Sequence, residues 1–181
     1  MGHDLDAPSA WVEKWAPLIR PGGTVLDVAG GSGRHARFLA RLGFEVTGVD
    51  RDASLFRDDK PAQIEWVEAD IEAGPWPFAG RRFDGIVVTN YLHRPLLPTL
   101  VASLEPGGVL IYETFAQGNE RFGKPSNPAF LLAPGELLEA VRGRLRVVAY
   151  EDRVVGGCPE RGQDSTHPRP AAVQRVCARL S

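Results

Sequence analysis

Cysteine is scarce in this chain. Of 181 residues only Cys158 and Cys177 carry a thiol, and their spacing is not that of a metal site. This excludes a disulfide framework and predicts two reduced thiols in a cytoplasmic protein. Long apolar runs are also missing. No stretch approaches the roughly 20 residues of a membrane span. The acidic start, "MGHDLDAPSAW", lacks the apolar core of a signal peptide. Excess positive charge is absent too: net charge is −2, which gives no general attraction to nucleic acid or to an anionic membrane. Lysine is rare, at three residues against eighteen arginines. With abundant Gly, Pro and Ala, that ratio reads as coding bias rather than as an arginine recognition surface. No repeat and no low-complexity tract is visible.

What remains is an ordinary globular composition, 43% hydrophobic and 24% charged, of a length suited to one domain over residues 1–181. Residues 1–22 read as an N-terminal helical segment, with Ser9 placed to cap a helix carrying Trp11, Val12, Trp15, Leu18 and Ile19. "TVLDVA" is a continuous apolar run, as a strand buried on both faces requires. A glycine turn follows. A helix with His35, Phe38, Leu39 and Leu42 at i, i+3, i+4, i+7 comes next, and Gly43 stops it. Three more strands end at Asp50, Asp70 and Asn90. A helix over "LLPTLVASL" leads through Glu105-Pro-Gly-Gly108 into a fifth strand, "VLIYETF". Residues 116–133 show no periodicity. A helix over "GELLEAVRG" and two final strands complete the chain. Strand–helix alternation predicts an α/β fold, a doubly wound and mostly parallel seven-stranded sheet. The last two strands have no helix between them, so an antiparallel hairpin is expected at one edge.

The turn "GSGRHA" fits a G-x-G-x-x-G/A fingerprint, and Asp50 follows Gly31 at a spacing suited to binding both ribose hydroxyls. A strand, a tight turn and a helix start bring several backbone N–H groups to one point, where a side chain would obstruct a ligand. Alone, this fits NAD and S-adenosylmethionine equally. Three features separate them. Asp27, just before the turn, suits a cationic amino group and not a pyrophosphate. Asp70 in "EADIE" suits the exocyclic amine of adenine, with the Ile71 N–H on the ring. The edge hairpin is foreign to the usual dinucleotide-binding halves.

At these residues the sequence resembles the class I, Rossmann-like S-adenosylmethionine-dependent methyltransferases. "VLDVAGGSGRHA" looks like that family's first motif, "VTGVD" its second and "EADIE" its third. "FDGIVVTNYLH" and "LEPGGVLIYET" resemble the two that follow. The resemblance implies cofactor contacts from Asp27, Gly30, Gly31, Gly33, Asp50, Arg51, Asp70, Ile71 and Asn90. One departure stands out. The family usually has glycine where Ala29 stands, and Gly30 is expected to supply the missing flexibility one residue later.

Methyl transfer is an in-line displacement that needs proximity, orientation and sometimes a base. Ligands of doubly wound sheets sit outside the carboxyl ends of the strands, so residues 89–94 are expected to face the methyl group. His93 and Tyr91 are the candidate catalytic residues, His93 as the base and Tyr91 as a wall against the cofactor. Each also has a plain reading: a loop histidine bonded to backbone, an Asx turn at Asn90, a packed tyrosine. The loop lacks the Asn-Pro-Pro-Tyr pattern of adenine methyltransferases. Residues 116–133 are expected to lie on the substrate side, with Arg94, Glu113, Asn119, Arg121 and Lys124 as acceptor contacts. Arg161, His167 and Arg169 in the loop between the last strands make a weaker case. The expected function is methylation of a small molecule. Short tellurite-resistance-type members resemble the chain, which leaves a thiol, a metalloid or a small acid as acceptor. The alternatives are an RNA or protein acceptor held by a local arginine patch, a non-catalytic cofactor-binding scaffold and an NAD-dependent oxidoreductase. No metal is expected, and oligomeric state is not legible.

Overall fold

A computed structural model describes residues 7–52, 54, 56, 64–156 and 169–181. Cys158, Arg161 and His167 lie outside the described residues. The strands are β1 (Thr24–Val28), β2 (Glu45–Asp50), β3 (Ile64–Glu68), β4 (Phe83–Thr89), β5 (Leu104–Phe115), β6 (Arg146–Val155) and β7 (Ala171–Arg179). The helices are α1 (Ala10–Trp15), α2 (Arg34–Arg41), α3 (Leu97–Ala102) and α4 (Glu136–Val141). The described strands form one sheet in the order β3-β2-β1-β4-β5-β7-β6. β1 to β5 are parallel, and β7 runs antiparallel to both β5 and β6. The expected hairpin is there, but the last strand is its inner member, inserted between β5 and β6.

Alternation builds a core on each face. Leu26, Val88 and Leu110 point to the side covered by α3 and α4, where Leu100, Leu137 and Val141 meet them. Their neighbours Val25, Val87 and Ile111 point to the other side, against Val12 of α1 and Leu39 of α2. Strands buried on both faces need apolar residues at every position, which is why they read as unbroken runs. Ser9 caps α1 as expected, accepting the Trp11 N–H. On α2 the buried residues are His35, Ala36, Leu39 and Ala40, whereas Leu42 is 48% exposed. The helix ends at Arg41, so Leu42 falls in the terminating turn rather than on the buried stripe.

β5 begins five residues earlier than expected. Leu104 already pairs with Phe83, and the register then jumps to Gly85–Val109. The Glu105-Pro-Gly-Gly108 segment is therefore an irregularity within the strand. Leu180 holds it, accepting the Gly107 N–H at 2.8 Å and donating to the Gly108 carbonyl at 2.9 Å. Residues 116–133 carry two short 3-10 turns, Asn119–Arg121 and Pro128–Phe130, and an isolated bridge between Ala116 and Leu132.

Candidate functional site

The chain departs from β1 toward β2 on one side, while β4 lies on the other. The carboxyl ends of β1 and β4 thus form the topological switch point, where open α/β sheets leave a crevice. The turn from β1 into α2 lies there. Its backbone is left-handed at Ala29 (φ 53°), Gly31 (φ 54°) and Gly33 (φ 80°). Gly30 is not, so the flexibility expected of it is instead demanded of Ala29 itself. Gly30 serves differently. A Cβ there would stand 3.0 Å from Asp27 Oδ2, because the carboxylate is folded directly beneath the turn.

Asp27 is fully buried, and neither of its carboxylate oxygens has a hydrogen-bond partner among the described residues. Burial pushes its pKa up to about 7, against weaker opposition from the Ala36 amide and the Arg34 charge. A buried, unpaired carboxylate is costly, and a cationic ligand group relieves that cost.

Asp50, ending β2, accepts the Gly31 N–H on Oδ2 at 2.9 Å and the Asp52 N–H on Oδ1 at 3.2 Å. It is thereby fixed beside the turn. Asp70 follows β3 and accepts the Glu72 and Ala73 amides on Oδ1, each at 3.0 Å. Those amides, Ala73 first, hold its carboxyl below the usual range. Between them lies a cleft of about 330 Å³ lined by Ala29, Asp50, Arg51, Ala69, Asp70, Ile71, Glu72, Tyr91 and Phe130. Four sequence-predicted cofactor residues, Asp50, Arg51, Asp70 and Ile71, thus share one wall. Gly33 starts α2 beside the cleft, tight against the Trp66 indole of β3.

Beyond β4, Asn90 is exposed and left-handed (φ 54°), with its N–H on the Glu113 carbonyl at 2.9 Å. Its side chain is not part of the cleft lining. Tyr91 is. Burial, then the nearby Glu72 carboxylate, raise its phenol pKa, so it is neutral and no base. Its carbonyl accepts the Tyr112 hydroxyl at 2.7 Å. His93 lies outside the lining and meets the cleft through Glu72, with Nδ1 3.9 Å from Glu72 Oε2.

The expected acceptor contacts are mostly engaged elsewhere. Arg94 binds both Glu136 oxygens and the carbonyls of Ala129 and Leu131. Glu113 is buried, accepts the Ser9 hydroxyl at 2.8 Å and pairs with Arg175. Asn119, 2% exposed, donates to the Pro125 carbonyl and accepts the Ala172 N–H. Arg94 and Asn119 thus hold the segment 116–133 in place, and Glu113 ties β5 to Ser9 and to Arg175 of β7; none of the three lines the cleft. Arg121 folds back on the Gly118 carbonyl and lies over the Phe122 ring. Lys124 lines a separate cavity of about 190 Å³ with Phe115, Phe122 and Arg169. Sequence reasoning missed Glu72 and Phe130. Glu72 was visible in "EADIE", two residues past Asp70; Phe130 had no signal in an aperiodic segment.

The sheet order, the glycine turn at the switch point and an acid at or near the carboxyl end of each of the first three strands are those of the class I S-adenosylmethionine-dependent methyltransferase fold. The chain is similar to that family: residues 25–108 match the family model described as a methyltransferase domain. An uncharacterized methyltransferase of Mycobacterium tuberculosis is 40% identical over 108 residues, which cover 55% of this chain and 54% of the relative. A trans-aconitate 2-methyltransferase of Azoarcus sp. is 31% identical over 118 residues, 62% of this chain and 45% of the relative. The matches span about half the length of these curated relatives. Among solved structures, TehB from Haemophilus influenzae superposes with a TM-score of 0.74 at 20% identity, over 97% of this chain and 63% of that one. The glycopeptide N-methyltransferase MtfA, complexed with S-adenosylhomocysteine, gives 0.65 at 21% identity over 100% and 92%.

Proposed function

We propose that the protein transfers a methyl group from S-adenosylmethionine to a small-molecule acceptor in the cytoplasm. The observation that carries this reading is Asp27. A buried carboxylate without a partner fits an ammonium group and repels a diphosphate, which favours S-adenosylmethionine over NAD. In this reading Asp50 accepts the ribose hydroxyls. Asp70 takes the adenine amine, and the Ile71 amide the ring. The glycine turn, residues 30 to 33, and the end of β4 at Asn90 frame the methionine portion. When bound, the cofactor supplies a methyl group on a sulfonium, already electrophilic without a metal. The chain's own residues then orient the acceptor and exclude water. Tyr91 and Phe130 wall the cleft. His93, beside Glu72, is the group available to take an acceptor proton.

A small acceptor is favoured over RNA or protein by the net charge of −2 and by the loss of Arg94 to the Glu136 clamp. Two measurements test the reading. S-adenosylhomocysteine is expected to raise the melting temperature, while NAD and NADP leave it unchanged; the reverse overturns the cofactor. Radiolabelled methyl from S-adenosylmethionine is expected in the low-molecular-mass fraction of a cell extract. Label in RNA or protein overturns the acceptor class. Cofactor binding with no label transferred overturns the enzyme in favour of a binding scaffold.

A further inference from the structure

His35 lies in the first turn of α2, two residues past Gly33, and is 2% exposed. Its ring is bonded on both nitrogens. Nε2 accepts the Ser9 N–H at 3.0 Å, and Nδ1 lies 3.2 Å from Thr89 Oγ1. An imidazole nitrogen that accepts an amide proton carries the lone pair, so in the neutral ring the proton is on Nδ1 and is donated to Thr89. Burial keeps the ring neutral, drawing its pKa down to about 4. One side chain therefore joins three segments distant in sequence.

Two of these segments, the first turn of α2 and the end of β4, flank the switch point. Thr89 is the last residue of β4, and Asn90 follows it in its left-handed conformation. Ser9 passes its hydroxyl to Glu113 Oε1, and the Glu113 carbonyl takes the Asn90 N–H. Arg175 closes the other side of Glu113 and lies over the Trp11 ring. An apolar side chain would fill the same space but leave the Ser9 N–H and the Thr89 hydroxyl without their partner, so the polar ring contributes direction as well as burial.

We propose that His35 is a positioning residue, whose imidazole sets the glycine turn against the loop beginning at Asn90 and clamps Ser9 across the ends of β4 and β5. Its catalytic consequence rests on the methyltransferase reading above; its structural consequence does not.

The test compares His35→Phe with His35→Gln, in which the amide oxygen and nitrogen replace the acceptor and the donor. In the ligand-free protein, His35→Phe is expected to speed amide exchange at Ser9 and Asn90 at least tenfold, while the Gly31 amide stays within twofold. Exchange that rises equally across the sheet overturns the proposal in favour of plain stabilisation. S-adenosylhomocysteine affinity is expected within threefold of the parent, with methyl transfer to the low-molecular-mass extract down tenfold or more, and His35→Gln restoring most of it. Equal losses of affinity and transfer, or no loss of transfer, overturn the positioning role. Thr89→Val removes the same bond from the loop side and serves if His35→Phe does not fold. Failure of the parent protein to bind S-adenosylhomocysteine overturns the function instead, and leaves the exchange pattern at Ser9 and Asn90 to decide the clamp.

Discussion

At the carboxyl ends of β1, β2 and β3, three aspartates meet backbone amides or, at Asp27, no hydrogen-bond partner among the described residues. Asp50 holds Gly31, Asp70 holds Glu72 and Ala73, and Asp27 lies beneath Gly30. On the β4–β5–β7 side, polar side chains are taken up by other parts of the chain, side chain and backbone alike. Glu113 holds Ser9 and Arg175, Arg94 holds Glu136, and Asn119 ties Pro125 to Ala172. The first half keeps charge available to a ligand. The second uses it to fix loops. Similar residue types thus stand beside the cleft on one side and serve architecture on the other, and what separates them is whether a distant segment of the chain comes within reach.

The sharpest way to break this contrast is Asp27→Asn. Loss of a buried charge facing an ammonium is expected to weaken S-adenosylhomocysteine binding by about 2–5 kcal/mol, read by calorimetry. Unchanged affinity removes Asp27 from the site. Its titration adds a second reading. The folded pKa of about 7 lies above the ordinary 3.8, so the neutral form is favoured by folding. The stability this residue contributes is full below about pH 4 and is lost as pH rises to 7. Ligand binding needs the carboxylate and runs the other way. Affinity is expected to fall about tenfold per pH unit below 7 in the parent, and Asp27→Asn to flatten that slope.

Next comes Arg94→Met, on the architectural side. It is expected to cost about 1–2 kcal/mol of stability in denaturant unfolding, since the ion pair is partly solvated but the two carbonyl bonds are lost as well. Ligand affinity is expected to stay within twofold. A larger fall in affinity than in stability would return Arg94 to the binding half. Ala29→Gly is the smallest test. Relief of the left-handed backbone at φ 53° is expected to raise stability by about 0.5–1 kcal/mol, with affinity nearly unchanged. A drop in stability would show that the Ala29 methyl is a needed wall of the cleft.

The β1–β4 half was legible because its signals are local. Apolar runs, a glycine turn and an acid after each of three strands survive in sequence as spacing, and the fold brings them together without adjustment. Arg94, Glu113 and Asn119 were not legible in the same way. Their partners, Glu136, Arg175 and Ala172, lie 42 to 62 positions away in sequence, across connections with no periodicity. A polar residue in a long loop looks the same whether it awaits a ligand or already has a neighbour. The order of the final hairpin was hidden for a related reason: two strands without a helix between them can add to a sheet edge in either order, and only the pairing of β5 with β7 decides it. The clamp by His35 was read as part of an apolar stripe, because helical spacing reports which face is buried and not what a buried ring bonds to.

The Trp66 indole has a bearing on the history of the sequence. It faces Gly48 directly across β2, where an added Cβ would stand 2.5 Å from the ring, and it also presses on Gly33. The two glycines are therefore not independent of the tryptophan, but they depend on it differently. Gly48 needs only the space, so a lineage that first exchanges Trp66 for leucine can then accept alanine at 48; in the opposite order the step is blocked. Gly33 needs its φ of 80° as well and stays closed to alanine by either route. Melting temperatures of Gly48→Ala and Gly33→Ala, each with and without Trp66→Leu, are expected to show rescue at the first position and none at the second. The turn that begins α2 thus constrains which substitutions are open to a lineage, and in what order.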